Sequence, residues 1–141
     1  MKTIAVDFDG VIHGYSKGWQ DGSIYDPPVA GAAQTLDRLQ RAGFRIVIYT
    51  TRAADRVIDG VFQEGQLEKV ASYLRSYNIP FDEIFAGEKP LFVALIDDRA
   101  IRFDPNPPWW RSFFGLLSPW AICERNLEKY GVIKPGQGEE P

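Results

Sequence analysis

Thr3-Ile4-Ala5-Val6-Asp7-Phe8-Asp9-Gly10-Val11 is the stretch on which the reading of this chain turns. Thr3 to Val6 have the apolar, β-branched character of a strand, and the run is cut by two acids and a glycine. A strand ending in an acid is ordinarily just a strand meeting a turn. Here the pattern returns: Ile46-Val47-Ile48-Tyr49 runs into Thr50-Thr51-Arg52, and Phe92-Val93-Ala94-Leu95-Ile96 runs into Asp97-Asp98-Arg99. Helix-period segments separate these runs, as they do in a parallel sheet with crossover helices, so the expected fold class is α/β.

Working outward, residues 14–28 read as a loop or short hairpin, given Gly14, Gly18, Gly22 and Pro27-Pro28. Ala32, Ala33, Leu36 and Leu39 then recur at helical spacing, and Gly43 supplies the stop. The best-marked helix carries Leu67, Val70, Ala71, Leu74 and Tyr77 on one stripe, with Pro80 just beyond it. A short strand over 83–86 leads to the loop Gly87-Glu88-Lys89-Pro90, and residues 101–103 read as a short edge strand. At Asp104-Pro105-Asn106-Pro107-Pro108 the chain becomes too proline-rich for helix or central strand. The expected division is a core over 1–103 and an appendage over 104–141. The appendage holds Trp109, Trp110, Phe113, Phe114 and Trp120, a helix over 119–130, and a mobile polar tail from Lys134.

Composition narrows the chemistry. The chain has 141 residues, 45% of them hydrophobic, and a net charge of −3, which suits one globular domain able to bury about two-thirds of its unfolded surface. Cys123 is the only cysteine and His13 the only histidine. An internal disulfide, a Cys/His zinc site and any histidine triad not built on His13 are thereby excluded. The mild acidity argues against a broad nucleic-acid face. No run approaches the roughly 18 apolar residues of a membrane span. The chain enters its first strand without a basic and apolar leader, so a cytoplasmic protein with no membrane partner is expected. Chemistry falls to carboxylates, lysine and hydroxyls.

Those groups sit where an open parallel sheet gathers them. Asp7 and Asp9, Thr50, Lys89, and Asp97 with Asp98 all fall at or beside carboxyl ends of expected strands, and those ends line one ligand-binding crevice. Four converging carboxylates repel by several kcal/mol at short range. A bound Mg²⁺ resolves the conflict, since it takes oxygen ligands and leaves positions for a phosphate oxygen.

In that order, Asp7-Phe8-Asp9-Gly10-Val11, Thr50, Lys89 and Asp97-Asp98 resemble the four motifs of the haloacid dehalogenase superfamily of Mg²⁺-dependent phosphotransferases, over residues 1 to 103. The resemblance implies a Rossmann-like three-layer sandwich around a central parallel sheet, and a phosphatase hydrolysing phosphomonoesters. Asp7 would be the nucleophile that forms an aspartyl-phosphate, and Asp9 the general acid/base whose presence favours phosphate-ester hydrolysis. Thr50, with Thr51 as its competitor, would bind the phosphoryl oxygens, and Lys89 would offset charge on Asp7 and the transferring group. Arg52 and Arg99 adjoin motif positions and suit either a substrate phosphate or carboxylate or a surface salt bridge. Asp7, the main-chain carbonyl of Asp9, and Asp97 or Asp98 would hold Mg²⁺, with Asp98 the preferred member of the pair. His13 is read as a loop residue ahead of a second acid/base, and Asp21 and Asp104 as loop and turn residues.

The intervals 11–28 and 52–88 are too short for a cap domain, so a capless, open site is expected, one that serves a phosphorylated small molecule or polymer end. The aromatic appendage suits packing on the core, a lid or a homo-oligomer contact. Two rivals come from other classes. A receiver-like phosphoacceptor module would place its acid pair first, whereas here Asp-x-Asp comes first and Asp-Asp last; a non-catalytic binding domain would use the tryptophan-rich segment. Among enzymes, a nucleotidase, a sugar-phosphate phosphatase and a polynucleotide-end phosphatase share the same core residues.

Overall fold

The structure is a computed structural model that describes residues 2–90, 94–95, 99–112 and 115–140. Its elements in chain order are β1 (Lys2–Val6), α1 (Ala32–Arg41), β2 (Phe44–Ile48), β3 (Arg56–Ile58), β4 (Val61–Gln63), α2 (Leu67–Ser76), β5 (Glu83–Ile84) and α3 (Pro119–Lys129). β1, β2 and β5 form a parallel sheet in that order, with Ile4 beside Ile46, Val6 beside Ile48, and Ile48 beside Ile84. β3 and β4 make a separate antiparallel hairpin.

Register explains where the core lies, because paired residues of parallel strands point to the same face. Ile4, Val6, Phe44, Ile46, Ile48 and Ile84 share one face, and they pack in one cluster with Leu36 and Leu39 of α1, Val70 and Leu74 of α2, and Trp120 and Leu127 of α3. The opposite face carries Thr3, Ala5, Arg45, Val47 and Glu83, none of them buried. The protein is thus a small α/β domain whose described helices contribute to one core against one sheet face. The expected strand over 92–96 falls mostly outside the described residues; Ala94 and Leu95 are exposed and stand in no strand.

The segment after Pro108 is built into this core. Ser118 caps α3 by accepting the Ala121 N–H at 3.1 Å, and Pro119 supplies the preset first helical φ. Trp120 is 3% exposed, and its indole N–H donates to the Val11 carbonyl at 2.9 Å, reaching back to the loop that follows β1. Phe103 packs its ring 5.0 Å from that of Trp120. Residues 101–103 are therefore irregular chain leaning on the core, where a strand was expected. On the α1 side, buried Arg38 meets the Glu124 carboxylate, donates to Glu128 at 2.7 Å and donates to the Gln137 carbonyl at 3.0 Å. Burial works against the Arg38 charge, but its bonds to Glu128 and Glu124 outweigh this and hold it charged more firmly than usual.

The tail expected to be mobile is fastened as well. Ile133 is buried, the Gln137 side chain donates to the Ala42 carbonyl at 3.2 Å, and Arg41 pairs with Glu140 at 2.8 Å. Gly138 presses so closely on α1 that a Cβ would lie 2.2 Å from the Arg38 carbonyl oxygen, so no other residue fits there. A second difference concerns Tyr77, expected on the buried stripe of α2. The helix ends at Ser76, Asn78 turns the chain with φ 52, and Tyr77 is left 45% exposed. Among the described residues no helix is long and apolar enough to cross a membrane.

Trp120→Ala should cost about 3–5 kcal/mol of unfolding free energy, because it removes a large core side chain and orphans the Val11 carbonyl. Urea unfolding followed by circular dichroism measures this, and a loss under about 1 kcal/mol would contradict the packing described.

Asp82 accepts the Ile46 N–H at 2.7 Å and the Gln40 side chain at 3.0 Å, and these bonds, the one from Ile46 first, hold its carboxyl below the ordinary 3.8. A carboxyl lowered on folding adds stability above its unfolded value and loses it as pH falls through the folded one. Asp82→Asn should therefore show a shallower loss of melting temperature between about pH 5 and pH 3 than the parent chain.

Candidate functional site

The site grows from the end of β1. After Val6 the chain folds into a tight turn in which the Phe8 carbonyl accepts the N–H groups of Val11, Ile12 and His13 at 3.3, 2.9 and 2.9 Å. Gly10 takes a left-handed φ of 77° in that turn. Phe8 is driven wholly into the core, so its neighbours Asp7 and Asp9 are turned toward the crevice. Pairing with β2 runs one residue past the strand, with the Tyr49 N–H donating to the Val6 carbonyl at 2.8 Å, so that Thr50 follows at the same end of the sheet as Asp7.

Asp7 and Lys89 form the first pair. The Asp7 Oδ1 atom accepts the Phe8 N–H at 2.8 Å and lies 3.2 Å from Lys89 Nζ. The lysine is buried; it donates to the Tyr49 carbonyl at 2.9 Å and lies 4.8 Å from the centre of the Tyr49 ring. The Asp7 side chain is 44% exposed. An accessible carboxylate is thus held by a buried ammonium. Thr50 is buried, and its hydroxyl oxygen accepts the Arg52 N–H at 3.2 Å, which leaves the hydroxyl proton to be donated elsewhere.

Asp9 is the second centre. Its Oδ2 accepts from Arg52 Nε at 2.6 Å, and its Oδ1 pairs with His13 Nδ1 at 2.8 Å. The other histidine nitrogen, Nε2, accepts the Asp26 N–H at 3.1 Å, which places the ring proton on Nδ1 and makes His13 the donor to Asp9. His13 is fully buried and ringed by Phe8, Tyr15, Tyr25 and Tyr73. It is therefore a structural partner of Asp9, where the sequence suggested a loop residue. Tyr15, in a left-handed backbone with φ 56, has its phenol pushed up by burial and by the negative charge of Asp9.

Arg52 is buried, where a surface salt bridge was one of the two readings. Its side chain is 1% exposed, and Nη1 donates to the Gly22 carbonyl at 3.0 Å and to Gln66 Oε1 at 2.8 Å. Nη2 is buried and has no hydrogen-bond partner among the described residues. Arg99 is exposed and Thr51 half-buried. Asp97 and Asp98 lie outside the described residues.

The sequence reading assigned nothing to residues 56–63, which form the β3–β4 hairpin. The signal was present: Asp59-Gly60 sits between Val57-Ile58 and Val61-Phe62 and takes φ 50 and 78 at the turn, as a two-residue hairpin turn requires. The hairpin is rooted at the site, since Arg56 donates to the Lys89 carbonyl at 3.0 Å. The crevice is thus flanked by a flap over residues 14–26 and by this hairpin.

For a divalent cation, the described residues offer hard oxygen donors: the Asp7 carboxylate and the Asp9 main-chain carbonyl. The Asp9 side-chain oxygens are engaged by Arg52 and His13. This donor set fits magnesium in kind. A separate cluster of Glu124, Glu128 and Glu139 lies around the Arg38 guanidinium, which pairs with all three carboxylates. Two surface hollows lie away from the crevice, one at Ile24, Lys69 and Tyr73 and one between α1 and α3.

No protein-family model matches the chain, and no curated protein or solved structure does so either.

His13→Ala should lower unfolding free energy by about 2–4 kcal/mol, since it empties a packed site and leaves the Asp26 N–H without its acceptor. A surface loop residue would move stability by under about 0.5 kcal/mol. Chemical denaturation separates the two outcomes.

Proposed function

We propose that the chain is a Mg²⁺-dependent phosphomonoester hydrolase working through an aspartyl-phosphate on Asp7. The observation that carries the reading is the Asp7–Lys89 pair, in which a carboxylate open to solvent stands 3.2 Å from a buried ammonium at the end of β1. Asp9 and Thr50 border the same strand ends. The finer fold, a Rossmann-like sandwich of haloacid dehalogenase type without a cap, belongs to the same proposal, supported by the parallel order β1-β2-β5, by Asp7 following directly on β1 and by Thr50 standing two residues beyond the adjoining β2.

On this reading an Asp7 oxygen attacks phosphorus and the bond from phosphorus to the leaving oxygen breaks, while Asp9 supplies the proton that the leaving oxygen takes up. A water then attacks the phosphorus of the aspartyl-phosphate and gives its proton to Asp9, so that inorganic phosphate leaves and both acids are restored. Lys89 offsets negative charge on Asp7 and the phosphoryl group, and the Thr50 hydroxyl donates to a phosphoryl oxygen. Magnesium, held by the Asp7 carboxylate and the Asp9 carbonyl with Asp97 or Asp98, would supply further positive charge against the phosphate. The substrate is a phosphomonoester, whether a small molecule or a polymer end, whose body extends past the flap and hairpin.

Phosphate release from a panel of aryl phosphate, nucleotides, sugar phosphates, a phosphopeptide and a 3′-phosphorylated oligonucleotide, with Mg²⁺ or EDTA, tests this reading. Release should require Mg²⁺ and fall by about 10³-fold or more in Asp7→Asn, at unchanged melting temperature. Retention of more than about a tenth of the activity by that variant would overturn Asp7 as the nucleophile.

A further inference from the structure

We infer that Arg52 is a positioning residue that fixes the Asp9 carboxylate and makes its placement depend on the flap over residues 14–26; the inference rests on the phosphatase reading of Asp9. Arg52 is buried, and one guanidinium group reaches the acid and the flap together. Nε holds Asp9 Oδ2 at 2.6 Å, while Nη1 holds the flap carbonyl of Gly22 at 3.0 Å and Gln66 at 2.8 Å. Two flap rings lie against the same group, with Trp19 at 4.8 Å and Tyr15 at 5.9 Å from Cζ to ring centre. A planar, forked cation suits this work, and a lysine could not make the same set of bonds.

The main chain of Arg52 is fixed too, its N–H on Thr50 and its carbonyl accepting the Gln66 N–H at 2.6 Å. The other Asp9 oxygen is tied to the far end of the same flap, through His13 to the Asp26 N–H. Both carboxylate oxygens are therefore suspended from the flap, one through Gly22 and one through Asp26. Leaving Nη2 buried without an acceptor among the described residues is a cost that folding stability alone gives no reason to bear. Placement of Asp9 gives that reason. The acid that protonates the leaving oxygen must be held to within a fraction of an ångström.

The dependence on leaving group provides a readout that a merely structural role would not move. A nitrophenolate departs without needing a proton, whereas an alkoxide must receive one. Kinetics are measured on 4-nitrophenyl phosphate and on a simple alkyl phosphomonoester with the full chain, Arg52→Lys, Trp19→Ala and, as reference, Asp9→Asn. Arg52→Lys should lose about 10²-fold in kcat/KM, which reports only the steps up to departure of the leaving oxygen, on the alkyl ester and under about 5-fold on the aryl ester, the pattern expected of Asp9→Asn as well. Trp19→Ala alters an exposed residue of the flap and should show the same selectivity at smaller size, about 5- to 10-fold. It decides the matter if Arg52→Lys does not fold.

Equal losses on both esters in a folded variant, or no loss, overturn the positioning role while leaving the phosphatase reading in place. Release of no phosphate by the parent chain from either ester, or an Asp9→Asn variant without leaving-group selectivity, overturns the reading itself and the inference with it.

Discussion

Two carboxylates two residues apart at the end of one strand repel each other, and much of the crevice answers that repulsion. Asp7 is met by Lys89 from the loop after β5, and Asp9 by Arg52 from the turn after β2 and by His13 from its own turn. Because the balancing groups are rooted in different strands, the electrostatic requirement draws the ends of β1, β2 and β5 to one place. The two acids are not treated alike. Asp7 keeps one cation and stays 44% exposed, whereas Asp9 is held on both oxygens and is 15% exposed. That asymmetry suits one carboxylate that must reach a substrate atom and another that must keep a fixed orientation.

The apolar side of the domain serves the same turn from below. Phe8 anchors it in the core between the two acids, and its carbonyl gathers three successive N–H groups. From outside, Trp120 of α3 seals the Val11 carbonyl, joining residues 109 positions apart in the chain. The C-terminal helix and tail thus determine how firmly the acids stand, and the Arg38 cluster with the Gln137 and Gly138 contacts holds that helix on α1. Among the described residues the main sheet has three strands and one covered face, which leaves little redundancy, so each such contact bears on the turn.

What was legible in the sequence was local. The β1 run and its acids, the periodic stripes of α1 and α2, and the Ser118-Pro119 start of α3 carry their signals within a few residues. The partners of Asp9 were not legible in that way. Arg52 lies 43 residues on, beside a threonine pair that drew it toward a substrate role, and His13 looked like an ordinary loop residue because its burial comes from Tyr15, Tyr25 and Tyr73. The tail was misread for a physical reason. Its glycines and prolines suggest looseness, yet Gly138 is there for a backbone approach that excludes a side chain. Ile101 and Phe103 alternate like a strand, but the same spacing also lets irregular chain place both residues on the core.

The flap gives the site a closure that does not need a separate domain. With one anchor at Gly22 through Arg52 and another at Asp26 through His13, it cannot lift away as a unit without releasing both oxygens of Asp9. The stretch before Gly22, which bears Trp19 at 48% exposure, is tied back to the same flap by the Tyr25 hydroxyl, which donates to the Gly18 carbonyl at 2.7 Å. On the proposed phosphatase reading, discrimination among substrates would fall to the rings of Tyr15 and Trp19 and to the hairpin, where Val57, Val61 and Phe62 are exposed. On that reading the strand ends would fix the chemistry, while selectivity would lie in two short excursions of chain beside them.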